Sequence, residues 1–328
     1  MVTEPLVSVV TPFFNTAPYL AECIESVLSQ TYSNFAYILM DNCSTDGSTE
    51  IAQSYARRDT RIRFIQCSHF VPHVTNYNRA LAEISDTCEF CKVVEADNYI
   101  FPDCLPLMVE AFRRSESIGL VTSYCLLGDT VLGSGYPYPM RVVPGKEWAM
   151  RCLRGNAPFV FGSPTTVMYR SSIVRANPQF YNESALHPDT EKCMELLEHW
   201  DLGFVHQILS FLRIENESIS TVNRARDKYH LLDSYIIAHR YAPVFLGASE
   251  AMSSKKRLKR DYYRFLADAF LRRPDHAFWR YHKAGLNTLG QKLDQPYLAL
   301  QIGLEVLRKA SNPGRTVTRA LKALNNKI

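Results

Sequence analysis

The run "CKVVEADNYIFPDCL", residues 91–105, takes Lys92, Val93 and Val94 straight into Glu95, Ala96, Asp97 and Asn98, then turns at Pro102. Carboxylates at the tip of a buried strand are costly unless something pairs with them. The two-residue period of a strand puts Glu95 and Asp97 on one side, a placement suited to holding a divalent cation, Mg²⁺ or Mn²⁺. Asp97 and Asn98 are also of the types that simply form turns, so spacing alone leaves both readings open. Three further polar groups recur at similar places: Asn15, the stretch from Asp41 to Asp46, and His69 with His73.

A phosphate cradled by backbone amides needs several glycines, and Gly47 is the only glycine before Gly119. That excludes a glycine-rich dinucleotide site and a P-loop. If this part of the chain binds a diphosphate, its charge must be neutralised another way, and a cation held by carboxylates is the usual means.

The elements that would carry these groups alternate. "LVSVVTPFF" reads as a strand ended by Pro12, and "NTAPYLAECIESVLSQ" as a helix with Leu20, Ile24, Val27 and Leu28 at helical spacing. "FAYILMD", "IRFIQC" and "FCKVVEAD" supply three more strands, separated by helices opening at "STDGSTE" and at "TNYNRALAEIS". Strand and helix in alternation predict a mostly parallel α/β sheet with helices on both faces. The four polar groups then emerge together at the carboxyl ends of the strands, where such sheets bind ligands. Beyond an irregular stretch at 119–145, a helix is expected at "GKEWAMRCLRG", a strand at "FGSPTTVMYR", a helix from Thr190 and a strand at "VHQILSFLRI".

With 328 residues, 46% hydrophobic and 21% charged, the chain can bury a sizeable core, and a net charge of +4 is too small to argue for nucleic acid. No apolar run reaches the roughly 18 residues that span a bilayer. The N-terminus lacks the basic and apolar regions of a signal peptide, which predicts a cytoplasmic chain. Nine cysteines, scattered singly through apolar segments, read as reduced core thiols; Cys88 and Cys91 form a lone CxxC with nothing nearby to complete a zinc site.

Taken in order, these motifs resemble the family 2 glycosyltransferases, whose nucleotide-diphosphosugar transferase fold is termed GT-A. The resemblance covers roughly residues 6–221. "VSVVTPFFN" resembles the opening strand with its P-x-[YF]-N end, "MDNCSTDGSTE" the D-[DN]-x-S-x-D-G-[ST] loop, and "NYNRALAEI" the helix before the metal strand. "KVVEADNYIFP" is similar to the strand bearing the DxD-type motif, "FGSPTTVMYRSSIV" to the acceptor-side strand, "HPDTEKCMELL" to the acidic helix start, and "FLRIENESIS" to the closing strand.

The resemblance implies an inverting transfer of a sugar from a nucleotide-diphosphosugar, UDP-linked in the typical case, to a saccharide or lipid-linked acceptor in bacterial surface polysaccharide assembly. Pro12, Phe13 and Asn15 would border the base and ribose, Asp41 would accept a hydrogen bond from the base, and Asp46 would cap the following helix. Asp97 would bind the metal, and Glu95 would contact the ribose or the metal's hydration shell. Asp189 is similar to the catalytic base; it lies just before an expected helix, whose macrodipole favours its ionised form. Asn78, Gly162, His187, Glu191, Arg213 and Glu215 fall on the acceptor or donor-sugar side. The usual Asp-x-Asp-Asp is here Glu95, Ala96, Asp97 and Asn98, and Glu215 stands where a histidine often follows the Arg. These departures keep open an alternative, a non-catalytic nucleotide-sugar binding or scaffold protein.

The expected organisation is a transferase domain over 1–221, with a nucleotide-binding half (1–118) and an acceptor-binding half (119–221), followed by a helical basic region over 222–328. Lys255, Lys256, Arg257, Lys259 and Arg260 form one basic cluster there, and Arg315, Arg319, Lys322 and Lys327, beside Leu321 and Leu324, form a second. Such helices suit either an anionic membrane surface, giving peripheral attachment at its inner face, or packing with a solvated basic face.

Overall fold

The computed structural model describes residues 4–214 and 230–311, apart from residues 134, 137, 158–160, 162 and 273. The chain divides into two compact units, Met1–Val222 and Asn223–Ile328.

In the first unit the expected alternation is present: β1 (Val7–Phe13), α1 (Ala17–Leu28), β2 (Phe35–Asp41), α2 (Ser48–Ala56), β3 (Ile62–Gln66), α3 (His73–Ala82) and β4 (Phe90–Val93). Then come β5 (Tyr99–Ile100), α4 (Cys104–Phe112), β6 (Ile118–Leu127), β7 (Thr130–Leu132), β8 (Val142–Val143) and α5 (Gly145–Arg154). A 3₁₀ turn (Pro164–Thr166), β9 (Met168–Arg170), α6 (Ser171–Arg175), α7 (Pro188–Leu196) and β10 (Asp201–Leu212) complete it. One sheet runs β3-β2-β1-β4-β9-β6-β10-β5, with β7 on β6 and β8 on β10. The β1–β2, β2–β3, β1–β4 and β6–β10 ladders are parallel. β9 is antiparallel to both β4 and β6, so those two strands share one direction across it.

Alternation along β1 makes it two-sided. Val7 and Val9 enter the core with Leu20, Cys23, Ile24 and Val27 of α1 and Leu105, Met108, Val109 and Phe112 of α4. Each such large aliphatic side chain contributes about 1.5–3 kcal/mol by burial. Ser8 faces the other side, where its hydroxyl accepts from the Ser85 amide just past α3. The sequence expected Pro12 to end β1, but the strand runs to Phe13. Val10 points its carbonyl at the β4 side, accepting from the Val94 amide, and Pro12, two residues on, faces the same way. The β4 ladder stops at Val10, so no partner misses the proline's absent N–H. "FGSPTTVMYR" is a strand only over Met168–Arg170, because Pro164 and the Ser163 cap impose a 3₁₀ turn first. α7 begins at Pro188, two residues before the expected start, since proline is well tolerated in a first turn. All nine cysteines are free thiols, seven of them buried.

The second unit contains, among its described residues, α8 (His230–Phe245), α9 (Ala248–Leu271), α10 (His276–Asn287) and α11 (Gln295–Ala310). Tyr262, Tyr263, Leu266 and Ala267 of α9 are its buried spine. Asp275 and Asp294 cap α10 and α11 by accepting from the Phe278 and Tyr297 amides. The basic cluster of α9 is not one solvated face: Lys259 pairs with Asp294 at 2.8 Å and lies over Tyr297. The second cluster, at Arg315–Lys327, lies outside the described residues, and no described helix is long and apolar enough to cross a membrane.

His282 is buried against Tyr262, whose hydroxyl lies 3.1 Å from Nδ1, and burial pushes its imidazole down to about 4. Below the ordinary histidine range the unfolded chain takes up a proton that the folded unit refuses, so stability rises with pH between about 4 and 6.5. Denaturant unfolding at pH 5 should show about 2 kcal/mol less stability than at pH 7 from this residue. His282→Gln should flatten that slope; an unchanged slope would assign it to other groups.

Candidate active site

In the order 3-2-1-4 the chain winds outward from β1 on one side and returns to β4 on the other, which opens a crevice beyond the carboxyl ends of β1 and β4. The loops that line it are braced to one another. Asn15, held at φ 51, donates its amide to the Ser44 hydroxyl (3.0 Å), and its Oδ1 accepts from the Thr45 amide (2.8 Å). The Thr16 amide donates to the Ser48 hydroxyl (2.9 Å). Asp46 accepts from the Ala17 amide (2.9 Å) with one oxygen and from the Ser48 amide and hydroxyl (3.1 and 2.6 Å) with the other. It therefore ties together the first turns of α1 and α2, more than the single cap expected. Burial opposes its ionisation, but these donors outweigh that and hold its pKa below the usual range. Asn42 extends the brace to the loop after β3, exchanging two hydrogen bonds with the Val71 backbone (2.7 and 3.0 Å).

This bracing changes the expected roles of several residues. Pro12 and Phe13 are buried strand residues, and Phe13 belongs to the core. Asp41 is fully buried, one oxygen accepting from the Ser44 amide (2.8 Å) and the other from the Thr49 hydroxyl (2.6 Å). All three are buried, and the Asp41 carboxylate shapes its own loop. Exposed at this edge, besides Asn15, are two aromatic residues that were not singled out from the sequence, Phe14 and Phe70, whose rings meet edge-on at 4.8 Å. Strand alternation past a buried Phe13 signals an outward Phe14; nothing in the sequence brings Phe70 to it.

At the end of β4, Glu95 is the centre of a hydrogen-bond network. Its Oε1 accepts from the Tyr77 hydroxyl (3.2 Å), and its Oε2 accepts from Asn98 Nδ2 and the Thr165 hydroxyl (both 3.0 Å). Every one of these donors is neutral. Burial, then the charge of Asp97, push its pKa up to about 7, and Asp189 adds to the rise. So Asp97 and Asp189, far apart in sequence, both act on one carboxyl group. Glu95 is thus held by three protein donors. Asn98 Oδ1 accepts from the Arg213 amide (2.9 Å), and Arg213 Nε donates to the Asp97 carbonyl (3.0 Å), while its guanidinium pairs with Glu22 and lies over Tyr19. An amide at position 98 is needed to give a hydrogen bond to Glu95 and take one from Arg213; a carboxylate could not donate.

Asp189 sits inside the first turn of α7, with His187 as N-cap. Its pKa is raised, not lowered: burial outweighs the helix amides and the nearby His187 and His73. The macrodipole expectation is thus overturned by desolvation. Asn78 is a buried clamp, its amide exchanging hydrogen bonds with the Tyr181 backbone (2.9 and 2.8 Å) and donating to Glu183 (3.1 Å); it supports the loop before α7 and does not face a ligand. Glu191 accepts from Asn182 (3.0 Å) on that same loop. Gly162 and Glu215 lie outside the described residues.

Whether a metal fits can be read from the donors. Hard oxygen ligands and an excess of negative charge at Glu95, Asp97 and Asp189 suit Mg²⁺ or Mn²⁺. Among the described residues no three His, Cys, Asp or Glu side chains form a metal-holding group.

A mostly parallel sheet with carboxylates at its switch point is a GT-A architecture. The family model for glycosyl transferase family 2 matches residues 8–174, just over half of the chain, and the chain belongs to that family. It is 29% identical over 133 residues to the glycosyltransferase GlyG of Streptococcus pneumoniae, covering 40% of each chain. It is 27% identical over 145 residues to chondroitin synthase of Escherichia coli, covering 42% of this chain and 20% of that one. The chain thus spans well under two thirds of these relatives. Among solved structures, S. aureus TarS 1-349 in complex with UDP-GlcNAc has the same fold, with a TM-score of 0.62 and 16% identity over 87% of this chain and 79% of that one.

Asp46→Ala removes three hydrogen bonds that join two helix starts. It should cost about 1–2 kcal/mol in denaturant unfolding. A loss below about 0.5 kcal/mol, the range of an ordinary surface substitution, would show that the brace does not depend on it.

Proposed function

We propose that this chain is a metal-dependent inverting glycosyltransferase that moves one sugar from a nucleotide-diphosphosugar, UDP-linked, to a saccharide or lipid-linked acceptor in bacterial surface polysaccharide assembly. The observation that carries this reading is the family 2 match over residues 8–174 together with Glu95 and Asp97 just past β4 at the switch point of the sheet. The UDP-GlcNAc bound in the TarS complex supports the choice of donor, and the polysaccharide synthase among the relatives supports a saccharide acceptor.

In this reading Asp97 would hold a divalent cation, whose charge would stabilise the departing diphosphate. Asp189 takes the proton of the acceptor hydroxyl while its oxygen bonds to the anomeric carbon, opposite the breaking bond to the diphosphate. Burial raises its pKa, which strengthens it as a base, and the nearby His187, helix amides and His73 only partly oppose that rise. Phe14 and Phe70 offer apolar faces to the base. The eroded-motif alternative, a binding or scaffold protein, is disfavoured because Glu95 and Asn98 form a matched pair that keeps the loop ordered. Asp189→Asn should lower kcat by roughly 10²–10⁴ and leave UDP affinity unchanged. Equal loss of both would make Asp189 structural. Because the ionised form is needed, kcat should fall as pH drops through the raised pKa.

The second unit supports work at the inner face of the membrane. Leu300, Leu304 and Leu307 of α11 lie at i, i+4 and i+7, each at least half exposed. The only acid of α11, Glu305, is buried and paired with Arg308 (2.6 Å). Beside the helix start, Lys283 and Lys292 line a cleft of about 520 Å³. An apolar helix face with a cationic surround suits an anionic bilayer. The protein should pellet with anionic vesicles at low salt, and Leu304→Glu should weaken this; pelleting unaffected by the substitution would place any attachment elsewhere.

A further inference from the structure

Lys92 lies on β4 three residues before Glu95 and is fully buried. Among the described residues no acid pairs with it. Its Nζ donates to the Thr165 carbonyl at 2.6 Å, with the Val167 carbonyl at 3.5 Å and the Met108 sulfur at 3.7 Å as distant secondary neighbours. Burial lowers its pKa, so the buried amine is a costly group at a strand position that an aliphatic side chain could fill.

What it reaches is the turn Pro164–Thr166. The Thr165 hydroxyl accepts from the Glu95 amide (3.0 Å) and donates to Glu95 Oε2 (3.0 Å). Asn98 Nδ2, which donates to the same Oε2, lies 3.4 Å from the Thr165 hydroxyl. Thr165 is therefore gripped at its carbonyl by Lys92 while its hydroxyl grips both ends of the carboxylate loop. We propose that Lys92 is a positioning residue for the donor site: by pinning the Thr165 carbonyl it fixes the turn against which Glu95, Asp97 and Asn98 are held. The functional part of this inference rests on Asp97 being the metal-binding residue proposed above; the structural part does not.

The test is hydrogen exchange by mass spectrometry on Lys92→Met, a near-isosteric change that removes the donor, alongside a UDP titration at graded Mn²⁺. Lys92→Met removes a buried polar group that is costly to desolvate but also leaves the Thr165 carbonyl without this donor, so the two effects oppose each other and the global melting temperature should change little. Exchange should accelerate in residues 93–100 and 163–167 and stay unchanged in the Asn15 and Asp41–Asp46 loops. The Mn²⁺ concentration for half-maximal UDP binding should rise roughly 10- to 100-fold, the usual cost of losing a group that orients a metal ligand. Lys92→Gln, which keeps an N–H donor on a shorter arm, should lie between wild type and Lys92→Met.

Unchanged exchange at 93–100, or an acceleration spread evenly over the sheet, would overturn the positioning role. If wild type binds no UDP with metal, the functional reading falls and the exchange result alone decides Lys92. Should Lys92→Met fail to fold, Lys92→Gln and Thr165→Val are read in the same way: localised acceleration supports the role, and none or uniform acceleration overturns it.

Discussion

The partly buried carboxyl of Glu95 is the point on which the first unit is organised. It is held by Tyr77 from α3, Thr165 from the turn before β9, and Asn98 from its own loop, so three distant segments meet at one side chain. Its partners are all neutral, and its pKa is pushed up to about 7 by burial and by the charges of Asp97 and Asp189. Like charges are brought together there, and among the described residues no protein cation is bonded to Glu95. An arrangement of that kind makes ionisation of Glu95 costly, and a proton or a positively charged ligand would relieve it.

A second constraint keeps the crevice open. The loops after β1, β2 and β3 are joined by Asn15, Asp46 and Asn42, so the edge that would face a nucleotide is rigid before anything binds. Pre-organisation of this sort lowers the entropy lost on binding. It also accounts for the burial of Asp41, whose carboxylate is consumed in shaping the turn.

Much of this was legible in the residues. Alternating strand and helix patterns, with polar residues at each strand end, located the crevice, because period and loop polarity are local properties. Asp97, Asp189, Arg213 and Glu95 were singled out through motif order; Arg213 bonds to the Asp97 carbonyl, and the charges of Asp97 and Asp189 both act on Glu95. What could not be read was which way a side chain faces once loops cross-brace: Phe13 and Asp41 went inward, and Phe70 came from another loop. The strand expected over "FGSPTTVMYR" shrank because Ser163 and Pro164 favour a 3₁₀ turn, and that turn supplies the threonine that holds Glu95. Desolvation reversed the sign expected at Asp189, since burial depends on neighbours that a single sequence does not place. The basic run of α9 likewise looked continuous in sequence, yet Lys259 is drawn to Asp294.

The most direct test of the donor site is a calorimetric titration of the protein with UDP, with and without Mn²⁺, repeated on Asp97→Ala. Binding that needs the metal in wild type and disappears in Asp97→Ala is the predicted result. Metal-independent binding that Asp97→Ala leaves unchanged would contradict the account.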